Sequence, residues 1–329
     1  MNFYCTSLSK DKVIAYDSTE ITKHFHKTSL NEADLVCLEI TKRDSFIFDE
    51  IEFNSTQGKE FVVIDFTEYG YDNTDVDHFY GVNTSEHAGK FPNTEYLKLD
   101  EALKKRKIKC YFKRELPSNH AKAEFTIYPI EYPCLHREEP ENNYESFWGR
   151  STDVFFNWGW SNPSRPKLHA EFYNSAHPLN YSVVSQRSHL EGQIKDSRGL
   201  PVIFTQFIPH HSRLHMDEVL RLQRSSRISV SLNGCGVKCF RHAESPANSL
   251  MALQENSLKW THEWTDENAI ILPNKPNGEI DAKASVEKII NSLKNKEELY
   301  ARYLNCVRTN NKYRKENYAN QILSLISAS

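Results

Sequence analysis

The chain has no run of about 18 apolar residues that would make a membrane-spanning helix. Its first residues, MNFYCTSLSKDKV, lack the apolar centre of a secretory signal. An excess of one charge is also missing. Lys and Arg number 41 against 44 Asp and Glu, for a formal net charge of −3. No global basic footprint therefore advertises nucleic acid, although a local patch could still serve one. The seven cysteines are odd in number and include no CxxC pair, so they read as reduced thiols of a cytoplasmic protein. HExxH is absent. His24 and His26 alternate like strand neighbours, and His210, His211 and His215 cluster, but no cysteine or carboxylate spacing completes a ligand set. No bound metal or cofactor is expected, and no internal repeat stands out.

What is present is ordinary globular material: 329 residues, 39% hydrophobic and 26% charged. That length suits two domains of about 150 residues each. Short apolar runs recur through the first half, in KVIAYDS, ADLVCLEI, FVVIDFTEYG and IKCYFK, with helix-forming sequence such as NTEYLKLDEALKKRK between two of them. This is the rhythm of a largely parallel, buried sheet. After FTIYPIEY a polar stretch interrupts the pattern, which places a domain boundary near Tyr144: residues 1–144 as an N-terminal, acceptor-side domain and 145–329 as a C-terminal domain.

The second half starts over. DVFFNWGW, LPVIFTQF, RISVSLNG and AIILP read as strands, alternating with helical PKLHAEFYNS, MDEVLRLQRSS and DAKASVEKIINSL. A last helical stretch runs from about residue 297 to 326. The fold class is thus α/β, with two Rossmann-like domains.

Residues 227–253 are the most informative. A β-branched strand runs into Gly234 and Gly236, then into residues able to open a helix. Glycines allow close backbone approach, and amides at a helix N-terminus favour phosphate. Lys238 and Arg241 add charge-assisted donors for a diphosphate, and Glu244, three residues past Arg241, suits ribose hydroxyls. Any strand-to-helix turn of an α/β domain can show such glycines, so spacing alone leaves a structural reading open.

Arg241-x-x-Glu244, followed by Ser249-Leu-Met-Ala252, resembles the arginine and glutamate motif of exostosin-like and related GT-B glycosyltransferases. Upstream, Asp153-Val-Phe-Phe-Asn-Trp-Gly159 and Arg165 resemble the first strand of a GT-B donor domain, its glycine turn and a following arginine. The resemblance covers roughly the last 180 residues; the first half matches by architecture only. It implies two domains facing across a cleft, a C-terminal helix returning toward the first domain, and a nucleotide-sugar bound as co-substrate without metal. Carried over, Glu244 holds the ribose, Arg241 meets the diphosphate, and Gly159, Arg165, Gly234, Gly236, Lys238 and Ser249 complete the donor site. Two departures stand out. Ser245-Pro-Ala-Asn248-Ser249 replaces the family's alanine and glycine pattern, and Pro246 fits a helix only in its first turn or beside a break.

Asp65 and Glu68 follow the run FVVI at the end of a strand, where a catalytic base could activate an acceptor hydroxyl; His26 is a third candidate. A capping or bracing role competes for each. Lys113 and Arg114 end the strand IKCYFK and are candidates for phosphate or acceptor contact, whereas Lys104 to Lys107 read as a solvated basic run. The expected function is glycosyl transfer to a glycan, a lipid-linked saccharide, a protein or a modified nucleic-acid base. A sugar-nucleotide epimerase or hydrolase of the same fold, and a non-catalytic nucleotide-binding module, are the alternatives.

Overall fold

The computed structural model describes residues 1–7, 21–40, 50–66, 102–114, 116, 118, 123–134, 143–159, 164–175, 181–186, 216–233, 238, 241–256 and 258–329. The chain divides into two compact units. The first comprises Met1–Pro133, Ser257–Glu263 and Tyr313–Ser329, and the second Cys134–Asn256 and Trp264–Lys312.

In the first unit β1 (Phe3–Ser7), β2 (Leu35–Ile40), β3 (Glu60–Asp65), β4 (Ile108–Lys113) and β5 (Thr126–Pro129) form one parallel sheet in the order β1-β2-β3-β4-β5. Every residue of β2 is buried, as an inner parallel strand covered on both faces requires. On one face Val36, Leu38, Ile40, Phe61, Val63 and Tyr111 pack with Leu103 and with Phe53 of the short helix α1 (Glu50–Ser55). Gly58 closes the turn between α1 and β3 at φ 85°, a left-handed conformation that glycine reaches without strain. The apolar runs at β2, β3 and β4 are strands as expected. The sequence reading missed β1, whose FYCTS is short and half polar; the run KVIAYDS, taken as the first strand, lies outside the described residues. His24 and His26 are not strand neighbours either, because residues 21–25 form a helical turn.

In the second unit the elements are α2 (Tyr144–Trp148), β6 (Thr152–Gly159), α3 (Ser164–Asn174), β7 (Tyr181–Gln186), α4 (Met216–Arg224), β8 (Ser226–Ser231), α5 (Arg241–Asn248), β9 (Leu250–Gln254), β10 (Ile270–Leu272), α6 (Ala282–Lys294) and α7 (Lys296–Asn311). Its sheet is parallel throughout, in the order β10-β9-β8-β6-β7. Asn143, Asp281 and Asn295 cap α2, α6 and α7 by accepting from the backbone amide of the third residue of each helix. β7, with its sequence YSVVSQ, was not foreseen; the expected strand LPVIFTQF lies outside the described residues.

The single terminal helix expected over 297–326 is two helices, α7 and α8 (Lys315–Ala328). The break has a tertiary cause. Tyr313 is buried, and its hydroxyl accepts from the His262 amide at 2.9 Å and donates to the His262 carbonyl at 3.0 Å. Beyond the break, the Tyr318 hydroxyl accepts from the Glu131 amide at 2.7 Å and donates to the Glu131 carboxylate at 3.2 Å. Thr261 donates to the same carboxylate through its amide, at 3.0 Å, and its hydroxyl. These bonds fix α8 and residues 261–262 within the first unit. Among the described residues no helix is long and apolar enough to cross a membrane.

Candidate functional site

In the second unit the chain passes from β6 outward to β7, then returns to β8 on the other side of β6 and continues to β9 and β10. Connections that leave two adjacent strands in opposite directions open a crevice at their carboxyl ends, where α/β sheets bind ligands. Here the two strands are β6, ending at Gly159, and β8, ending at Ser231. Arg165, in the first turn of α3, reaches to the end of β8. Its Nε donates to the Asn233 carbonyl at 2.8 Å and its Nη2 to the Leu232 carbonyl at 3.3 Å, with only 3% of the residue exposed. Expected to touch the donor directly, Arg165 thus holds the backbone that leaves β8.

Gly234 and Gly236 lie outside the described residues. Lys238, in the connection to α5, is buried. Arg241 is the first residue of α5, and half-buried Glu244 stands in its first turn. A carboxylate there also complements the positive end of the helix dipole, so the position favours Glu244 with or without a ligand. His242, unremarked in the sequence, is buried with Nε2 3.4 Å from the Ser231 carbonyl. On α3, burial pushes His169 down to about 4 from 6.5, which keeps its ring neutral beside Phe156 at neutral pH.

The segment 245–249 has a structural explanation. Ser231 Oγ donates to Ser245 Oγ at 2.9 Å. Asn248 Nδ2 donates to Gln223 Oε1 at 3.2 Å and to the Glu244 carbonyl at 2.9 Å, while Arg224 Nε donates to Asn248 Oδ1 at 3.0 Å. Arg150 adds bonds from Nη1 to the carbonyls of Ser226 (2.8 Å) and Asn248 (3.0 Å), and from Nη2 to the Tyr303 hydroxyl (3.0 Å). This network joins α5 to α4, β8 and α7. The helix continues through Pro246, contrary to the expectation of a first-turn position or a break. Ser249 is likewise corrected: fully buried at the far end of α5, it donates to Ser229 Oγ at 2.5 Å and immediately precedes β9. A helix that follows a parallel strand runs back along it, so Ser249 lies toward the amino ends of the strands and away from the crevice.

In the first unit Asp65 and Lys113 are partners in the parallel register of β3 and β4. Lys113 Nζ stands 2.8 Å from Asp65 Oδ2, and the Tyr111 hydroxyl donates to the same oxygen at 2.7 Å. Asp65 is fully buried and Lys113 nearly so. The two side chains are thus engaged with each other. Arg114 is buried with its guanidinium over the Tyr132 ring, 4.8 Å from the centroid, and donates to the Tyr132 hydroxyl. His26 is exposed beside Asn2, and its carbonyl accepts from Phe3, the first residue of β1. It therefore sits at the amino edge of the sheet, at the opposite end from Asp65 and Lys113. Glu68 lies outside the described residues. One buried acid was overlooked: Glu39, in the otherwise apolar LVCLEI, accepts from Thr22 Oγ1 at 2.6 Å. A lone carboxylate in a fully buried strand was the available signal.

No family model and no curated protein matches the sequence. Solved structures do. The chain is similar to OtsA in its apo form (TM-score 0.55, 12% identity, 89% of this chain and 72% of that one). It is also similar to a glycosyltransferase from Rickettsia africae (TM-score 0.51, 12% identity, 94% and 79%) and to an E. coli structure titled trehalose-6-phosphate bound with UDP-2-fluoro glucose (TM-score 0.52, 10% identity, 89% and 72%). At these identities the likeness is one of fold. The expected α/β architecture of two Rossmann-like parallel sheets is present.

Proposed function

We propose that the chain is a glycosyltransferase that moves a sugar from a nucleotide-sugar to an acceptor hydroxyl, with the donor held by the second unit. One observation carries the reading. The reversal of strand order between β6 and β8 coincides with the connection that contains Lys238 and with the start of α5, where Arg241 and Glu244 stand.

When the glycosidic bond breaks, negative charge collects on the departing nucleoside diphosphate. Lys238, Arg241 and the first amides of α5 offset that charge without metal. Glu244 accepts from ribose hydroxyls, and Arg165 acts as a positioning residue that fixes the backbone after β8. In an inverting reaction a base must deprotonate the acceptor. Asp65, Glu68 and His26 are the candidates for that base, Asp65 being ion-paired with Lys113. The buried network at 245–249 braces α5, which is compatible with a donor site at the first turn of that helix. Within the glycosyltransferases, Arg241-x-x-Glu244 supports an exostosin-like donor site. We place the chain in the cytoplasm, as the odd number and scattered spacing of its seven cysteines suggest. The acceptor class stays as broad as the sequence left it.

The test is a thermal-shift screen against UDP-, GDP-, CDP- and TDP-sugars. UDP-sugars come first because a structure of similar fold is bound with UDP-2-fluoro glucose. A donor at a hundredfold over its Kd stabilises the folded state by about 2.7 kcal/mol. The shift should vanish in Glu244→Ala and Arg241→Ala and persist in Ser249→Ala, whose own melting point is lowered. Failure of every sugar nucleotide to shift the parent, or an undiminished shift in Glu244→Ala, refutes the donor site.

A further inference from the structure

The sulfurs of Cys5 and Cys37 and a carboxylate oxygen of Glu39 lie within 4.8 Å of one another in the first unit. Nothing in the linear spacing pairs them. Cys5 stands opposite Cys37 in the parallel register of β1 and β2, and Glu39 lies two residues past Cys37, on the same face of the strand. The opposite face of β2 carries Val36, Leu38 and Ile40 into the apolar core. Cys37 is fully buried, Glu39 is 6% exposed and Cys5 is half-buried on the outermost described strand of the sheet.

We propose that Cys5, Cys37 and Glu39 form a three-ligand site for a thiophilic divalent cation of the zinc type, entered from the Cys5 side. Two sulfurs and one oxygen are a tetrahedral donor set with the fourth position left for water. Metal–sulfur distances of about 2.3 Å and metal–oxygen distances of about 2.0–2.2 Å put neighbouring ligand atoms roughly 3.5–4 Å apart, so only a small contraction is needed. Each thiol gives up its proton to solvent as the cation binds. Two thiolates, one carboxylate and a dication sum to one negative charge, and the Lys27 ammonium, which acts electrostatically on both thiols, offsets it. The Thr22 hydroxyl, donating to Glu39 Oε1 at 2.6 Å, orients the carboxylate from the second layer. A disulfide would join Cys5 and Cys37 alone, whereas a metal site also uses the adjacent Glu39 carboxylate. The site is separate from the donor crevice and stands or falls independently of the proposed transferase activity.

The test is a titration of the full chain with Co²⁺ under a phosphine reductant, followed by the sulfur-to-cobalt charge-transfer band and by displacement with Zn²⁺. A single equivalent should saturate the band. The band should be lost in Cys5→Ser and Cys37→Ser, weakened about tenfold in affinity in Glu39→Gln, and unchanged in Cys110→Ser. If Cys37→Ser does not fold, Cys5→Ser on the outer strand decides the matter alone. A band that survives Cys5→Ser places the cobalt on other cysteines and overturns the proposal. So does a reduced parent that binds no cobalt, including one in which these two thiols merely oxidise together on exposure to peroxide.

Discussion

Replacing Lys113 by methionine tests how the carboxyl end of the first sheet is held. The substitution keeps the length and apolar stem of the side chain and removes only the charge. Asp65 is fully buried, and its Oδ2 accepts from Lys113 Nζ at 2.8 Å and from the Tyr111 hydroxyl at 2.7 Å. With the ammonium gone, the buried carboxylate loses its ion pair and keeps the neutral Tyr111 hydroxyl as a donor. Breaking a buried pair from one side costs about 3–5 kcal/mol. At about 2–4 °C per kcal/mol for a unit of this size, the first unit should melt roughly 6–20 °C lower in Lys113→Met. Adding Asp65→Asn removes the stranded charge and should restore much of the loss, because the two positions share one interaction. The assay is denaturant and thermal unfolding of the parent, both single variants and the double variant. A Lys113→Met protein within roughly 0.5 kcal/mol of the parent refutes the reasoning, since surface charges alone show effects that small.

Three further outcomes follow from other parts of the molecule. The folded protein protonates His169 only near pH 4, whereas the unfolded chain does so near 6.5. Its contribution is therefore complete above pH 6.5 and is lost as pH falls through about 4, by up to about 3 kcal/mol, and His169→Gln should flatten the fall of the denaturant midpoint across that window. Arg150→Ala removes three hydrogen bonds and the cation over the Phe147 and Tyr303 rings, at a cost of about 2–4 kcal/mol; Arg150→Lys should recover only part, because an ammonium cannot span both carbonyls and the hydroxyl. Tyr318→Phe leaves the Glu131 amide and carboxylate without that partner and should cost about 1–3 kcal/mol, with faster proteolysis between α7 and α8 as the more local readout.

Strands were legible where the run was long and apolar. LVCLEI, EFVVID and IKCYFK are buried on both faces and leave little doubt, but FYCTS and YSVVSQ carry too few apolar residues to stand out, although each completes a sheet. The division of the last helical stretch was illegible for another reason. Its helical pattern runs on without a proline or glycine, and the break depends on a bond from Tyr313 to His262, 51 positions earlier. Cross-strand partners are hidden in the same way. Asp65 and Lys113 are 48 positions apart, and only the register of β3 and β4 makes them a pair. Cys5, Cys37 and Glu39 are brought together by the register of β1 and β2.

The same geometry sorts the residues that the sequence offered for a donor. In a parallel sheet each strand points its carboxyl end at the ligand side, and the helix that follows travels back the other way. Seven steps of α5 at about 1.5 Å each carry the chain about 10 Å from Arg241 to Asn248. A motif written across such a helix cannot lie wholly in one site: Arg241 and Glu244 occupy the end near β8's terminus, while Ser245, Asn248 and Ser249 meet α4, β8 and α7. The departure from the pattern that the sequence resembles therefore falls on the part of the helix that braces the fold, and the matching part falls on the proposed donor side. Substitutions on either side of Ser245 should separate accordingly, those before it acting on donor affinity and those after it on stability.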